Sequence, residues 1–209
     1  TFWRTLCVVI VLAPFTARQI WRARVRLYHQ WRFIVGLAIL GPIGLNVFLY
    51  FGLQTTTAVN GALLNSAMPV TIVIASWILA GETITWRSAV GMVLAFVGVS
   101  IIVLRGDIDA LGTLDIGIGD PLIIASMSSW AAFSVLLRKR NDGLDASAFV
   151  TVITAVSATV MLPLYIWDLA RGSRFEPTFS NISLILYAAA VVSVIANICW
   201  IRSVEMIGA

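Results

Sequence analysis

Long apolar stretches separated by short polar connectors run through the whole sequence. Seven of these stretches are long enough, and poor enough in charge, to cross a hydrocarbon core of roughly 30 Å. The predicted spans are, in order, Phe2–Ile20, Phe33–Leu53, Thr57–Ala80, Ser88–Leu104, Pro121–Leu137, Ala146–Trp167 and Ile182–Ile201. Because a spanning segment must satisfy its own backbone hydrogen bonds, each of them is predicted to be an α-helix. The pattern therefore predicts an all-α integral membrane protein.

Composition excludes a soluble domain. Hydrophobic residues make up 60% of the chain and charged residues 11%, whereas soluble domains are about half apolar and about one quarter charged. The formal net charge of +4 lies mostly in the connectors, and it is interpreted as an orientation signal rather than as a nucleic-acid surface. Cys7, Cys199 and the single histidine, His29, form no metal-binding pattern. We expect neither a metal nor another cofactor.

Basic residues are concentrated in alternate connectors. The connector Ala17–Arg32 carries five arginines, the next but one carries Arg87, and the next but one again is Arg138-Lys139-Arg140. Cytoplasmic loops carry the excess of Lys and Arg in multi-pass membrane proteins. The pattern therefore predicts that these three connectors are cytoplasmic. The Asp- and Gly-rich residues 107–120 are then periplasmic.

Five short motifs follow one another between Asn46 and Arg105. They are GLQTTTA, GALL, a proline in mid-span at Met68-Pro69, LAGE, and a Gly-rich span that closes on IIVLRG. In this order they resemble the drug/metabolite transporter (DMT) superfamily, and within it the EamA-type branch, whose members include an aromatic amino acid exporter. The resemblance implies a ten-helix transporter built from two inverted five-helix repeats, in a bacterial cytoplasmic (inner) membrane.

On that plan the chain is a fragment with about seven transmembrane helices. Residues 1–106 correspond to family helices 2–5, residues 107–120 to a periplasmic connector, and residues 121–209 to family helices 6–8, with the remaining helices outside this sequence. A weak internal repeat agrees with this division. Span two contains Asn46, Leu53, Gln54 and Ala58, and span seven contains Asn197, Val204, Glu205 and Ala209 at the same intervals. A repeat unit with an odd number of spans inserts in opposite orientations, as in many secondary transporters.

Polar side chains inside the spans are the candidates for a binding site, because such residues tend to face the bundle interior or a wet cavity. The candidate substrate-binding residues are Asn46, Tyr50, Asn65, Ser66, Met68, Ser126, Trp130, Ser134, Ser193, Asn197 and Trp200. A lining of amide, hydroxyl and aromatic groups suits an uncharged or zwitterionic solute with an apolar part. The alternative is that each Ser or Asn only bonds a neighbouring helix.

Three further residues are candidates for hinges or gates. Pro42 and Pro69 each remove a helical hydrogen bond, which predicts either a hinge for alternating access or a static kink. Glu82, in the LAGE motif, is expected at the cytoplasmic boundary in a capping or gating role. Asp120 is expected to cap the helix that begins at Pro121.

Two other features carry structural expectations. Glu205 is expected to pair with Arg202, which lies three residues before it. The small-residue stripe of Gly91, Ala95 and Gly98 on span four predicts close packing against another helix.

The favoured function is a secondary transporter, not an enzyme, that exports small neutral or zwitterionic metabolites by alternating access, with amino acids, aromatic ones included, as the expected class. Its partners are then a small-molecule substrate and the lipid bilayer, with monomer and homodimer both open. One alternative is a transporter of another metabolite or drug class, and another is a non-transporting partner subunit. A membrane-embedded enzyme acting on lipid or isoprenoid would need an acidic cluster such as Asp107, Asp109 and Asp115.

Overall fold

The computed structural model describes residues 2–83, 85–103, 117–171 and 178–207, and every regular element in them is helical. The α-helices are α1 Phe2–His29, α2 Trp31–Ala38, α3 Leu45–Leu53, α4 Ala58–Ser66, α5 Met68–Ala80, α6 Trp86–Val103, α7 Gly119–Leu137, α8 Ala146–Ala170, α9 Phe179–Tyr187 and α10 Ala196–Ile207. Two π-helical stretches, π1 at Ile39–Gly44 and π2 at Ala188–Ile195, join α2 to α3 and α9 to α10. The all-α prediction is confirmed.

The helices account for the seven predicted spans. Five continuous helical runs are long and apolar enough to cross a membrane, namely Phe2–His29, Trp31–Leu53, Gly119–Leu137, Ala146–Ala170 and Phe179–Met206. The pair α4 and α5, bent by 42°, makes a sixth, and α6 is a shorter apolar helix at the predicted fourth span. The largest difference from the prediction is in α1, which runs on through the basic residues to His29 instead of ending near Ile20.

The chain forms two compact units, of which the first comprises Thr1–Ile43 and Lys139–Gly208. In this unit α1 packs along α8. Buried hydroxyls join the two helices, since Thr16 Oγ1 donates to Thr151 Oγ1 at 3.1 Å. Near the other end of the pair, the ring of Phe2 stacks on the ring of Tyr165 with centroids 4.5 Å apart. These contacts fix the register between α1 and α8.

The second unit, Gly44–Arg138, is organised around α7, which packs against α3, α4 and α5. The closest approach is made by glycines. A methyl group on Gly119 would fall 2.6 Å from Thr55 Oγ1 and closer still to the carbonyl oxygen of Gly52, and a methyl group on Gly52 would fall 2.8 Å from Ile123 Cγ1. The end of α3 can lie against the start of α7 only because both positions lack a side chain.

The predicted close packing of the α6 stripe is wrong for the described part of the chain. A methyl group added to Gly91 or Gly98 would meet no described atom within 4 Å. Small residues permit a close approach between helices, but their spacing does not show where that approach occurs. The sequence alone therefore could not show that helices meet closely at Gly52 and Gly119 rather than at the α6 stripe.

Local sequence explains where the helices of the second unit begin and end. The hydroxyl of Thr57 accepts a hydrogen bond from the backbone N–H of Asn60 at 3.2 Å and caps α4. Gly81 ends α5 with φ of +69°, a left-handed conformation that favours glycine. Its N–H donates to the carbonyl of Trp77 at 3.2 Å, and Glu82 N–H donates to that of Ser76 at 3.3 Å.

The connectors in each unit agree with the predicted alternation of the spans. In the first unit Gln30 Nε2 donates to the carbonyl of Asn141 at 3.0 Å, which joins two connectors predicted on the basic side. In the second unit the predicted outer residues Thr56 and Asp120 are hydrogen bonded. Each of these contacts joins connectors that the sequence places on the same side of the membrane.

Candidate functional site

Helix α7 carries three candidate residues on one face, as their spacing predicts. Ser126 and Ser134 are almost fully buried, with 1% and 0% of their surface exposed, and Trp130 is half-buried. The hydroxyl of Ser126 donates to the carbonyl of Ile123 at 2.7 Å, and that of Ser134 donates to the carbonyl of Trp130 at 2.9 Å. Both hydroxyl protons are thus used inside α7. Trp130 is the member of this stripe that remains partly exposed.

The Trp130 ring is positioned by a neighbouring aromatic side chain. Its centroid lies 5.0 Å from that of Phe133, with the rings tilted by 39°, and Phe133 is only 2% exposed. An aromatic pair at this separation adds about 0.5–1.5 kcal/mol beyond the area it buries. A buried Phe133 therefore holds one side of the indole ring and leaves the remainder half-buried.

Helix α3 places two more candidates in the same unit, since it packs on α7. Asn46 is half-buried and Tyr50 is 48% exposed. One helical turn separates the two residues, so they lie on the same side of α3. Asn46, Tyr50 and the α7 stripe therefore lie on two helices that pack together.

The third predicted span is broken between α4 and α5, where Asn65, Ser66 and Met68 lie. Asn65 is exposed, whereas Ser66 and Met68 are partly buried. The hydroxyl of Ser66 donates to the carbonyl of Leu63 at 2.6 Å. The 42° bend falls at Ala67, between the two helices. Pro69 lies in the first turn of α5, where a missing N–H costs no helical hydrogen bond, so the break precedes the proline.

Pro42 lies inside the π-helical stretch π1. A proline cannot donate the N–H that an α-helix requires at this position, and the wider π-helical turn accommodates the loss. π-Helical turns inside α-helices are frequent at functional sites. The break is therefore where the sequence predicts it, and both interpretations, hinge and kink, are compatible with this geometry.

The last three candidates, Ser193, Asn197 and Trp200, lie in the first unit and are all half-buried. Ser193 belongs to π2. The Asn197 amide donates to the carbonyl of Ser193 at 3.0 Å, a bond that spans the junction of π2 and α10. Asn197 thus stabilises the end of a π-helical stretch while part of its surface remains accessible.

Glu82 forms an ion pair with Arg138 in the second unit. Glu82 follows the glycine that ends α5, and Arg138 follows the last residue of α7. The two side chains are 42% and 36% exposed, so the pair is a solvated link between the ends of two packed helices. The predicted capping or gating role of Glu82 is compatible with this position and stays a prediction.

The pairing expected for Glu205 is wrong. Its Oε1 accepts a hydrogen bond from Arg140 Nη2 at 2.5 Å, in the first unit, rather than pairing with Arg202. Arg140 Nη2 also donates to the carbonyl of Leu144 at 2.7 Å, and the Arg140 guanidinium lies 4.4 Å over the ring of Phe149. Sequence spacing favours Arg202, which lies one helical turn away. In the structure the partner is Arg140, from the connector between α7 and α8, which is also held by Leu144 and Phe149.

Asp120 does not cap α7 in the predicted way. It lies in the first turn of the helix, which begins at Gly119. Its Oδ1 accepts from the Thr56 hydroxyl at 2.5 Å and its Oδ2 from the N–H of Gly117 at 3.1 Å. One carboxylate therefore ties the connector between α3 and α4 to the start of α7.

Within the described ranges, no group of three or more His, Cys, Asp or Glu side chains could hold a metal ion. The acidic cluster Asp107, Asp109 and Asp115 lies outside those ranges. The expectation of no cofactor stays a prediction.

Comparisons with known proteins find transporters. Residues 1–104 match the EamA-like transporter family. The chain is 30% identical over 181 residues to the uncharacterized transporter YyaM of Bacillus subtilis, covering 83% of this chain and 57% of that protein. It is 29% identical to the uncharacterized transporter YetK of the same organism, over 78% of this chain and 50% of that protein.

An archaeal relative extends the likeness. An uncharacterized transporter of Archaeoglobus fulgidus is 27% identical, over 82% of this chain and 58% of that protein. The chain thus spans little more than half the length of these relatives. No solved structure matches it.

Proposed function

Because residues 1–104 place this chain in the EamA-like transporter family, we propose that it forms part of a secondary transporter that exports small neutral or zwitterionic metabolites by alternating access. The substrate class is amino acids, aromatic ones included. The binding residues are the candidates on α3, on α7, at the α4–α5 break and around π2.

The observation that carries this proposal is the matching position of the two π-helical stretches. π1 ends at Gly44, two residues before Asn46, and π2 ends at Ile195, two residues before Asn197. These asparagines occupy the same place in the internal repeat of the sequence. Transporters with inverted repeats bind substrate where corresponding helices of the two repeats are interrupted. The coincidence supports two repeats with a polar residue beside each interruption.

The side chains around these breaks favour a substrate without net charge. In the second unit, the candidate residues with partly exposed surface include Asn46, Tyr50 and Trp130. Amide groups can accept from an ammonium group and donate to a carboxylate. The partly exposed indole offers an apolar face to an aromatic or aliphatic side chain. A zwitterionic amino acid uses both kinds of surface.

Orientation follows from charge and belongs to the same proposal. The protein is assigned to the inner membrane of a bacterial cell. Its basic connectors, Ala17–Arg32, Arg87 and Arg138–Arg140, lie on the cytoplasmic side. Glu82 and its partner Arg138 then lie at the cytoplasmic boundary, where the pair opens and closes access to the site. Pro42 and Pro69 mark the hinges.

The test is counterflow uptake into proteoliposomes that contain the full-length protein, with labelled aromatic and aliphatic amino acids and with or without a pH gradient. Trp130→Ala and Asn46→Ala are compared with Trp86→Ala. Trp86 is 80% exposed, at the start of α6, so its loss leaves the proposed lining intact. Each variant is first checked for an unchanged elution volume and melting temperature in detergent.

We expect uptake of aromatic amino acids without a gradient, lost in the first two variants and retained in the third. Equal loss in all three would assign the effect to folding or insertion rather than to the site. Uptake that requires the gradient would contradict facilitated exchange through a neutral lining. No uptake of any amino acid would overturn the substrate class.

A further inference from the structure

A shallow groove of about 500 Å³ follows one face of α1. It is lined by the apolar residues Ala13, Ala17, Ile20 and Leu27, and by Trp21, Arg24 and Tyr28. The lining recurs at helical spacing from Ala13 to Tyr28, which is fifteen residue steps, so the groove is about 22 Å long at 1.5 Å per residue. The end at Ala13 is wholly apolar, whereas the end at Tyr28 carries the Arg24 guanidinium, the Trp21 indole and the Tyr28 phenol.

The length of the groove matches one leaflet of a bilayer. The hydrocarbon half-thickness is about 15 Å and the headgroup layer adds about 5–7 Å. The predicted first span ends near Ile20, which places Ala13 and Ala17 in hydrocarbon. Trp21, Arg24 and Tyr28 then lie among the headgroups, where Trp and Tyr are enriched in membrane proteins.

The polar end of the groove carries the positive charge of Arg24. The first acidic residue in the chain is Glu82, and none of the ion pairs in the described part of the chain involves Arg24. The Arg24 guanidinium lies 4.4 Å over the Trp21 ring. Stacking on a ring occupies the face of a guanidinium and leaves its N–H edge for a phosphate.

We propose that this groove binds one anionic phospholipid from the leaflet on the basic side of the membrane. An acyl chain lies along Ala13, Ala17 and Ile20, and the phosphate accepts hydrogen bonds from Arg24 and from the Tyr28 hydroxyl. The site goes beyond the proposed transport function and is independent of the substrate. Charge complementarity selects an anionic lipid over a neutral one. The one-leaflet length of the groove fits a single phospholipid.

The test uses the full-length transporter, purified in a neutral detergent and titrated with phosphatidylglycerol, with bound lipids counted by native mass spectrometry. Arg24→Gln is compared with Arg22→Gln, which makes the same charge change at an exposed residue outside the groove. We expect the tightest lipid to bind about tenfold more weakly to Arg24→Gln, the loss of one hydrogen bond to a charged group. For Arg22→Gln we expect a change below about twofold, since a distant exposed charge is screened.

A second variant tests the apolar end without touching the charge. Ala17 is exposed, so Ala17→Phe fills the groove and spares the packing of α1 on α8. It should also weaken phosphatidylglycerol binding while leaving the melting temperature unchanged.

Three results would overturn the proposal. The first is equal weakening by Arg24→Gln and Arg22→Gln, which would indicate diffuse surface charge. The second is binding of phosphatidylcholine as tight as that of phosphatidylglycerol, which would remove the role of net charge. The third is the absence of any tightly bound phosphatidylglycerol.

Discussion

Arg140 and Glu205 form an ion pair in the first unit, with Arg140 Nη2 at 2.5 Å from Glu205 Oε1. The Arg140 side chain is only 9% exposed. It also reaches the carbonyl of Leu144 and the ring of Phe149. One guanidinium therefore joins α10, the start of α8 and the connector between α7 and α8 within a single compact unit.

Glu205→Gln should lower the stability of the protein by about 1–2 kcal/mol, because it removes a charged acceptor from a nearly buried guanidinium. The matched control is Glu82→Gln, which breaks the pair with Arg138. Since both members of that pair are more than one third exposed, its loss should cost less than about 1 kcal/mol. The measurement is thermal unfolding of both variants in detergent.

The substitution is the same at both sites, but the arginines differ. Arg138 is 36% exposed, whereas Arg140 is 9% exposed and also lies 3.7 Å from Asp142 Oδ2. Equal shifts in melting temperature would show that the burial of Arg140 does not strengthen its pair. A larger shift in melting temperature for Glu82→Gln would contradict the expectation that the Arg140–Glu205 pair stabilises the protein more than the Arg138–Glu82 pair.

Gly119→Ala should destabilise the protein by about 1–3 kcal/mol, as overpacking does. The new methyl group would collide with the carbonyl oxygen of Gly52 and with Thr55 Oγ1. Gly91→Ala, in the interior of α6, meets no described atom within 4 Å. It should instead stabilise the protein by about 0.5–1 kcal/mol, because alanine is the better helix former.

If the packing is as described, thermal unfolding will show a lower melting temperature for Gly119→Ala and a higher one for Gly91→Ala. Destabilisation by both would mean that α6 has a close neighbour at Gly91. Stabilisation by both would mean that α3 and α7 do not meet at glycine.

How much of this fold the sequence predicts depends on the range of the interaction. The spans, the alternation of the connectors and the break around Pro42 follow from hydrophobicity, charge and missing N–H groups, which are properties of short segments. The partners of Glu205 and Asp120 do not, because Arg140 and Thr56 are more than sixty residues away in the chain.

At the candidate site, the sequence predicts where the side chains lie but not which hydrogen bonds they make. Helical spacing was sufficient to place Ser126, Trp130 and Ser134 on one face of α7. It could not show that both serine hydroxyls donate within their own helix, because a carbonyl three or four residues back competes for every serine in a helix. The scarcity of acids is a further sequence signal: the chain has 10 Asp and Glu against 14 Lys and Arg, so each carboxylate has several possible basic partners.

Thr16 and Thr151 offer a direct measure of one contact between helices. Both side chains are buried, and their hydroxyls are hydrogen bonded. A double-mutant cycle with Thr16→Val and Thr151→Val should give a coupling energy of about 0.6 kcal/mol, the average for such bonds in a membrane protein. The value is small because each hydroxyl can instead donate to a backbone carbonyl of its own helix, Thr16 to that of Leu12 and Thr151 to that of Ser147. A coupling energy of zero would mean that the two hydroxyls do not meet.

Pro42→Ala tests whether π1 is a hinge. The substitution restores an N–H inside an interrupted span, so it should stiffen that span, raise the melting temperature and slow counterflow several-fold. The matched control is Pro14→Ala, because Pro14 lies inside α1, where the helix has no π-helical stretch. That variant should raise the melting temperature with little change in transport, since α1 is not proposed to bend. If Pro42→Ala stabilises the protein while transport stays unchanged, π1 is a static kink, and the hinge must be sought at the α4–α5 break, where the chain is already bent by 42°.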